Sequence, residues 1–344
     1  MTIGRATPDG TKRYAARFPA YRDAGFYREA GGLQVSSLGL GTYLGNADDE
    51  TDRRYAAAVL AAVRGGVNFL DTAINYRHQR SERSIGAALR QAFAEGFARE
   101  EIAVCTKAGF LTPGAIDAAV VRPPDVVGRM HSMAPDFLAD QIDRSRANLD
   151  LDTIDVFYLH NPETQLGFVP REEFLPRIRA AFDRLESLVA QGKIAGYGAA
   201  TWDGFRKPGM LDVGEMVRIA REAGGAEHHF RFIQVPLNLA MAEAFMRRED
   251  GGPTVLEAAD REGLMVVASA TLMQARLTHD LPEALPAHLP GPRTDAQRAI
   301  QFTRSTPGIA VALVGMSREE HVTENLGVAA IPPAAPDRYL GIYR

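Results

Sequence analysis

A single cysteine, Cys105, in 344 residues excludes any intrachain disulfide, and with it the small cross-linked folds of secreted proteins. It lies inside an apolar run, which assigns it to the core as an inert thiol. Tryptophan is as scarce, Trp202 being the only one. No apolar run approaches the roughly 18 residues of a membrane span, and the start, MTIGRATPDG, lacks the apolar stretch of a secretory signal. Both absences point to a cytoplasmic protein with no membrane partner. Charge of one sign is not in excess either. With 39 Lys and Arg against 43 Asp and Glu the net charge is −4, and no basic stripe offers a nucleic-acid partner a footing. A G-x-S-x-G nucleophile elbow and a G-x-x-x-x-G-K-[ST] phosphate loop are both missing. No feature of the chain bears on oligomeric state.

What is present is alternation. Eight short β-branched or apolar runs, at 35–41, 67–71, 102–107, 154–160, 195–200, 232–235, 265–268 and 309–315, are separated by segments of helical period. Leu138, Ile142 and Leu149 recur at near-helical spacing, as do Ala181, Leu185, Leu188 and Val189. Repeated strand and helix predict parallel βα units, and eight of them predict a closed (β/α)8 barrel rather than an open doubly wound sheet. The reading is one barrel domain over 1–344, with an N-terminal extension (1–25), a hairpin (26–36) turning at Gly31 and Gly32, and a tail (331–344). Such a hairpin would plug the barrel floor. Two long loops, 110–135 and 272–293, follow strand ends and would overhang one mouth.

Three of the strands run into an ionisable residue: Asn-Phe-Leu-Asp71, Val-Cys-Thr-Lys107 and Phe-Tyr-Leu-His160, with Tyr76 five residues after the first. Parallel strands would bring these residues to one rim, where barrels carry their chemistry. A tyrosine hydroxyl, with an unperturbed pKa near 10, is a poor acid at neutral pH unless a neighbour stabilises its phenolate. An ammonium does so, a carboxylate can hold that ammonium, and a histidine can orient a substrate oxygen or relay a proton. Together they form a proton donor for a carbonyl, suited to hydride transfer from a cofactor. Singly, each residue also has a structural use: a turn cap, an ion-pair partner, a loop aromatic or a core histidine.

On these residues the chain resembles the aldo-keto reductases. The motifs are Gly66-Val-Asn-Phe-Leu-Asp71-Thr-Ala-Ile-Asn-Tyr76, Ser81-Glu82, Ile85-Gly86, Cys105-Thr-Lys107 and Tyr158-Leu-His160-Asn161-Pro, within a resemblance covering about 26–330. The resemblance implies that Tyr76 is the general acid/base, Lys107 the group that depresses its pKa, Asp71 the partner of the lysine and His160 the substrate orienter. It also implies a (β/α)8 barrel, NADP(H) as cofactor and a small carbonyl or alcohol as substrate, interconverted without metal.

For the cofactor, the resemblance implies Gly41 and Thr42 along the pyrophosphate, and Asp71, Thr201, Gln234, Ser269, Leu272 and Gly315 around the rest of it. Ser317, Arg318 and His321 would lie near an adenosine 2'-phosphate, and Glu324 and Asn325 near the adenine. Arg318 favours NADP over NAD because a guanidinium matches phosphate in charge and geometry. A glycine and serine at that strand-to-helix turn suit phosphate, and Ser317 with Glu320 would also suit a capping box. Tyr43 and Trp202 are expected in the substrate pocket, shaped also by the 110–135 loop and by 161–170. At the nicotinamide the chain departs from the family pattern: Ala200-Thr201 stands where many members have Ser-Asn, and Ser269-Ala-Thr-Leu272 has no stacking aromatic. That departure motivates an alternative, a low-turnover NADP(H)-binding sensor or regulatory subunit. A lyase or isomerase using Lys107 as a Schiff-base amine is a third reading.

Two other motifs are set aside. Gly39-Leu-Gly41-Thr-Tyr-Leu-Gly45 has its third glycine one residue late for a Rossmann fingerprint. His228 and His229 are neighbours that a strand would point to opposite faces, with no cluster of further ligands, so no metal is expected.

Overall fold

The computed structural model describes residues 1–117, 119–246 and 251–343. Ala118, in the first long loop, and Arg344, at the end of the tail, lie outside the described residues, as do 247–250. In chain order the elements are α1 (Pro8–Ala16), α2 (Pro19–Asp23), β1 (Tyr27–Ala30), β2 (Leu33–Ser36), β3 (Leu38–Gly41), α3 (Asp49–Arg64), β4 (Phe69–Asp71) and α4 (Arg80–Ala94). Next come β5 (Ala103–Ala108), β6 (Val126–Val127), β7 (His131–Ser132), α5 (Pro135–Leu149), β8 (Ile154–His160), α6 (Arg171–Ala190), β9 (Ile194–Ala200) and α7 (Val213–Gly224). The chain ends with β10 (Phe230–Pro236), α8 (Val255–Arg261), β11 (Met265–Ser269), α9 (Leu285–His288), α10 (Asp295–Ser305), β12 (Ile309–Gly315), α11 (Glu319–Asn325) and α12 (Pro336–Leu340).

Eight parallel strands, β3-β4-β5-β8-β9-β10-β11-β12, close into a barrel. All eight sequence runs fall on them, with one boundary to correct: the first run, 35–41, is not one strand. Ser37 interrupts it, its N–H donating to Phe26 O and its carbonyl accepting from Ala312 N, so the chain pivots there from an antiparallel hairpin into the parallel barrel. The hairpin itself stands at 27–36, with Gly31 and Gly32 at φ 57° and 79°, the two left-handed positions of a type I′ turn. Val35 packs with the barrel-interior side chains Phe69, Cys105, Tyr158 and Phe232, and Leu33 and Ala30 lie against the same cluster. The floor is therefore closed by side chains.

Helix ends follow local chemistry. Asp48 caps α3 by accepting from Thr51 N at 2.7 Å, three acidic residues occupy the first turn, and Arg64 stands in the last. Its buried stripe of Tyr55, Ala58, Val59, Ala62 and Val63 has the 3.6-residue period of a helix packed on a sheet. The N-terminal extension and the tail are docked. The Tyr14 hydroxyl of α1 donates to Val67 O at 2.9 Å, and buried Tyr339 of α12 shares a hydrogen bond with Thr306. Their short proline-started helices had no long apolar period to announce them.

Candidate active site

Period 2 along each strand places the polar residues. Phe69 of β4 and Cys105 of β5 point into the barrel, so Asp71 and Lys107, two residues on, do the same one layer nearer the mouth. His160 follows Val156 and Tyr158 in this way, Gln234 follows Phe232, and Ser269 follows Met265 and Val267. The same parity carries Gly41 and Gly315, which are register partners, to adjacent positions on the rim. A left-handed Asn161 (φ 49°), a residue type that tolerates this region, then turns the chain away after His160.

Lys107 Nζ donates to Asp71 Oδ2 at 2.5 Å and to Thr72 O at 2.7 Å, and both charged side chains are buried. The other carboxylate oxygen accepts from Gln234 Nε2 at 3.0 Å. Nζ lies 5.1 Å from the ring centre of Tyr76, which meets the rings of Tyr43 at 5.0 Å and His160 at 5.7 Å, each edge-on. Burial pulls the lysine pKa down, but the charge of Asp71, its hydrogen bond and the neighbouring Tyr76 and Cys105 together more than offset it, so the ammonium is retained. For Tyr76 the balance differs from expectation. Burial pushes the phenol above 10, and Lys107, pulling the other way, only partly cancels it. The lysine opposes a rise rather than producing a net depression. Burial also holds His160 well below its ordinary value, helped by Lys107 and His131, so its imidazole is neutral.

These groups line a cavity of about 950 Å³ at the barrel mouth. Gly41, Thr42, Tyr43, Thr201, Trp202, Ser269, Leu272, Gly315, Ser317, His321, Glu324 and Asn325 line it with Asp71, Tyr76, His160 and Gln234. Two expected residues stand apart. Lys107 is wholly buried beneath the lining, its Nζ against Asp71 and the Tyr76 ring, and Arg318 is exposed at the rim next to Ser317. The Ser317 capping box does not form: Arg318 is the N-cap of α11 and no side chain caps it, because Ser317 sits one residue earlier and faces the cavity. Cβ atoms built on Gly41 or Gly315 would meet no other residue nearer than 3.8 Å, so the bare rim adds room to the cavity. Thr201 Oγ1 is buried there without a partner. His229 is paired with Glu186, and among the described residues no group of three or more His, Cys, Asp or Glu could hold a metal ion.

Several residues in or behind the cavity lining have no signal in the sequence. Arg276, on the loop after β11, lines the cavity and, like Arg318, makes no side-chain hydrogen bond or ion pair among the described residues. His131, on a strand inside the first long loop, is wholly buried; its Nε2 lies 2.9 Å from His160 O and its Nδ1 accepts from Gln165 Nε2 at 3.2 Å. Phe110 stands edge-on to both imidazoles. Burial drops the His131 pKa to about 4. An unfolded histidine titrates near 6.5, so between 6.5 and about 4 the unfolded chain binds a proton the folded one does not. Stability is therefore full above pH 6.5 and should fall toward pH 4 by roughly 3 kcal/mol for His131. Urea midpoints across that range check this, and His131→Gln, which can keep both hydrogen bonds, should flatten the slope; an equal slope in the variant would sink the assignment.

The fold and the site define a (β/α)8 barrel with a buried lysine–carboxylate pair and a tyrosine at the mouth of one deep cavity. The chain belongs to the aldo/keto reductase family, whose model matches residues 37–337. It is 26% identical over 337 residues to a D-threo-aldose 1-dehydrogenase of Pseudomonas sp, a match covering 88% of this chain and 92% of that protein. It is 30% identical over 154 residues to a probable voltage-gated potassium channel subunit beta of Arabidopsis thaliana, covering 44% of this chain and 41% of that one. Among solved structures, an aldo/keto reductase from Klebsiella pneumoniae in complex with NADP and acetate aligns with a TM-score of 0.65 at 22% identity, over 92% of this chain and 93% of the other.

Proposed function

We propose that the protein is an NADP(H)-dependent oxidoreductase that interconverts an aldehyde or ketone and its alcohol, with Tyr76 as the proton donor and acceptor. The observation that carries the reading is the Asp71–Lys107 pair beneath Tyr76, with neutral His160 across the same cavity. The residues present fit a dinucleotide. The glycine rim leaves room for its backbone, Thr201 Oγ1 is a buried polar atom without a partner for it to meet, and Arg276 and Arg318 offer its phosphates cations that are unpaired among the described residues. The NADP in the Klebsiella structure supports the same cofactor.

When bound, NADP(H) supplies or accepts the hydride. The chain's own work is with protons and position. Tyr76 gives its phenolic proton to the substrate oxygen as charge develops there, Lys107 stabilises the phenolate that remains, and Asp71 keeps the ammonium in place. His160, neutral, orients the substrate oxygen by a hydrogen bond.

A second reading, a low-turnover cofactor sensor, is favoured by the absence of an aromatic in Ser269–Leu272 and by the channel-subunit relative. One experiment separates them. NADPH binding followed by fluorescence, alongside cofactor oxidation with a panel of carbonyls, should show tight binding with turnover; tight binding with negligible oxidation would overturn the enzyme in favour of the sensor. In the same titration Arg318→Ala should weaken NADPH about tenfold or more and leave NADH unchanged, as loss of one charged hydrogen bond predicts. An equal effect on both nucleotides would remove Arg318 from the 2'-phosphate.

A further inference from the structure

Trp202 is the only tryptophan, 47% exposed, and lines the same cavity as Tyr43, Tyr76 and Phe110. An exposed indole on a mobile loop would need no explanation. This one stands on a fixed backbone. Glu163, on the 3-10 turn after β8 and 7% exposed, accepts on its Oε1 from the N–H groups of Trp202 at 2.8 Å, Asp203 at 3.0 Å and Gly204 at 3.1 Å. Arg206 grips the other side, its Nε donating to Trp202 O at 2.9 Å while its guanidinium pairs with Asp203 and Glu243. Thr201 N donates to Gln234 O at 2.9 Å just before, and a Cβ on Gly204 would meet Leu211 at 2.8 Å just after, so the segment is tied and packed along its length.

Glu163 Oε2 is buried with no hydrogen-bond partner. A carboxylate held in that state is costly, and three N–H bonds into one oxygen are the return for it. We infer that Glu163 is a positioning residue for substrate recognition: its carboxylate fixes the backbone that presents Trp202 as an aromatic wall to the carbonyl substrate. The inference rests on the oxidoreductase reading for its substrate, and on the loop geometry alone for the clamp. Glu163 is not among the residues that line the cavity, whereas Trp202 is, so its action runs through Trp202.

The test uses the full-length protein. Glu163→Gln keeps the shape and an acceptor oxygen but removes the negative charge that strengthens all three N–H bonds, and Glu163→Ala removes the acceptor altogether. KM for carbonyl substrates should rise roughly threefold in the first and tenfold or more in the second, with kcat and NADPH affinity within about twofold of the parent. Trp202→Ala should raise KM similarly, and adding it to Glu163→Ala should cost nothing more, since both remove one wall. Multiplied losses in the double variant, or unaltered KM in Glu163→Ala, would overturn the inference. Emission of the single tryptophan should become more accessible to acrylamide in both Glu163 variants. If those variants do not fold, time-resolved anisotropy of the parent decides: a clamped indole shows no large fast component, and a dominant nanosecond one would overturn the clamp. Should the parent turn over no carbonyl, the proposed function fails while quenching and anisotropy still judge the clamp.

Discussion

Tyr76→Phe should lower carbonyl turnover by on the order of 10²-fold or more while NADPH affinity stays within about twofold, the loss expected when a positioned acid is removed. The substitution deletes one hydroxyl and keeps the ring that packs on Tyr43, His160 and the Lys107 ammonium, so shape cannot account for the loss. The pH dependence of the parent follows from the same group. Burial raises the phenol above 10, so Tyr76 is protonated through the neutral range and carbonyl reduction should be nearly flat from pH 6 to 9. Alcohol oxidation needs the phenolate and should climb with pH over that span. Neutral His160 adds no acid limb there, because its pKa is depressed. Steady-state rates in both directions check the pair of slopes; full turnover by the phenylalanine variant would falsify the acid assignment.

Lys107→Met should damage two properties at once. Turnover falls because the phenolate loses its ammonium, and the alkaline rise of alcohol oxidation moves to still higher pH. Stability falls as well, by about 3–5 kcal/mol, because Asp71 is left as a buried charge without its cation. Adding Asp71→Asn should return most of the stability and none of the turnover, since an isosteric neutral pair no longer carries an uncompensated charge. Thermal denaturation and rates measured on the three variants separate the effects. A double variant as unstable as the single would mean that packing, not charge, holds this layer.

The strand ends were legible because two local rules agree: apolar runs of strand length, and a polar residue where each run stops. That is why Asp71, Lys107 and His160 could be set on one rim from residue order. The break at Ser37 was not legible, since Val35 to Gly41 is apolar or small throughout and only the competing pull of hairpin and barrel divides it. His131 and Glu163 escaped for another reason. Each works through backbone groups far along the chain, and a carboxylate that accepts from residues 39 to 41 positions away leaves no spacing signature. The direction of the Tyr76 shift was missed because a pairwise argument weighed the lysine and not the burial that surrounds both.

The hairpin under the barrel has a consequence for traffic. With Val35 and the inner layers of Phe69, Cys105 and Phe232 packed together at the lower end, the barrel interior beneath the cavity is filled by side chains. A molecule lying against Asp71 and Gln234 would be covered by whatever lies between it and the mouth. The two-glycine turn takes part in that packing, since a Cβ on Gly31 would lie 3.5 Å from the ring of Phe232.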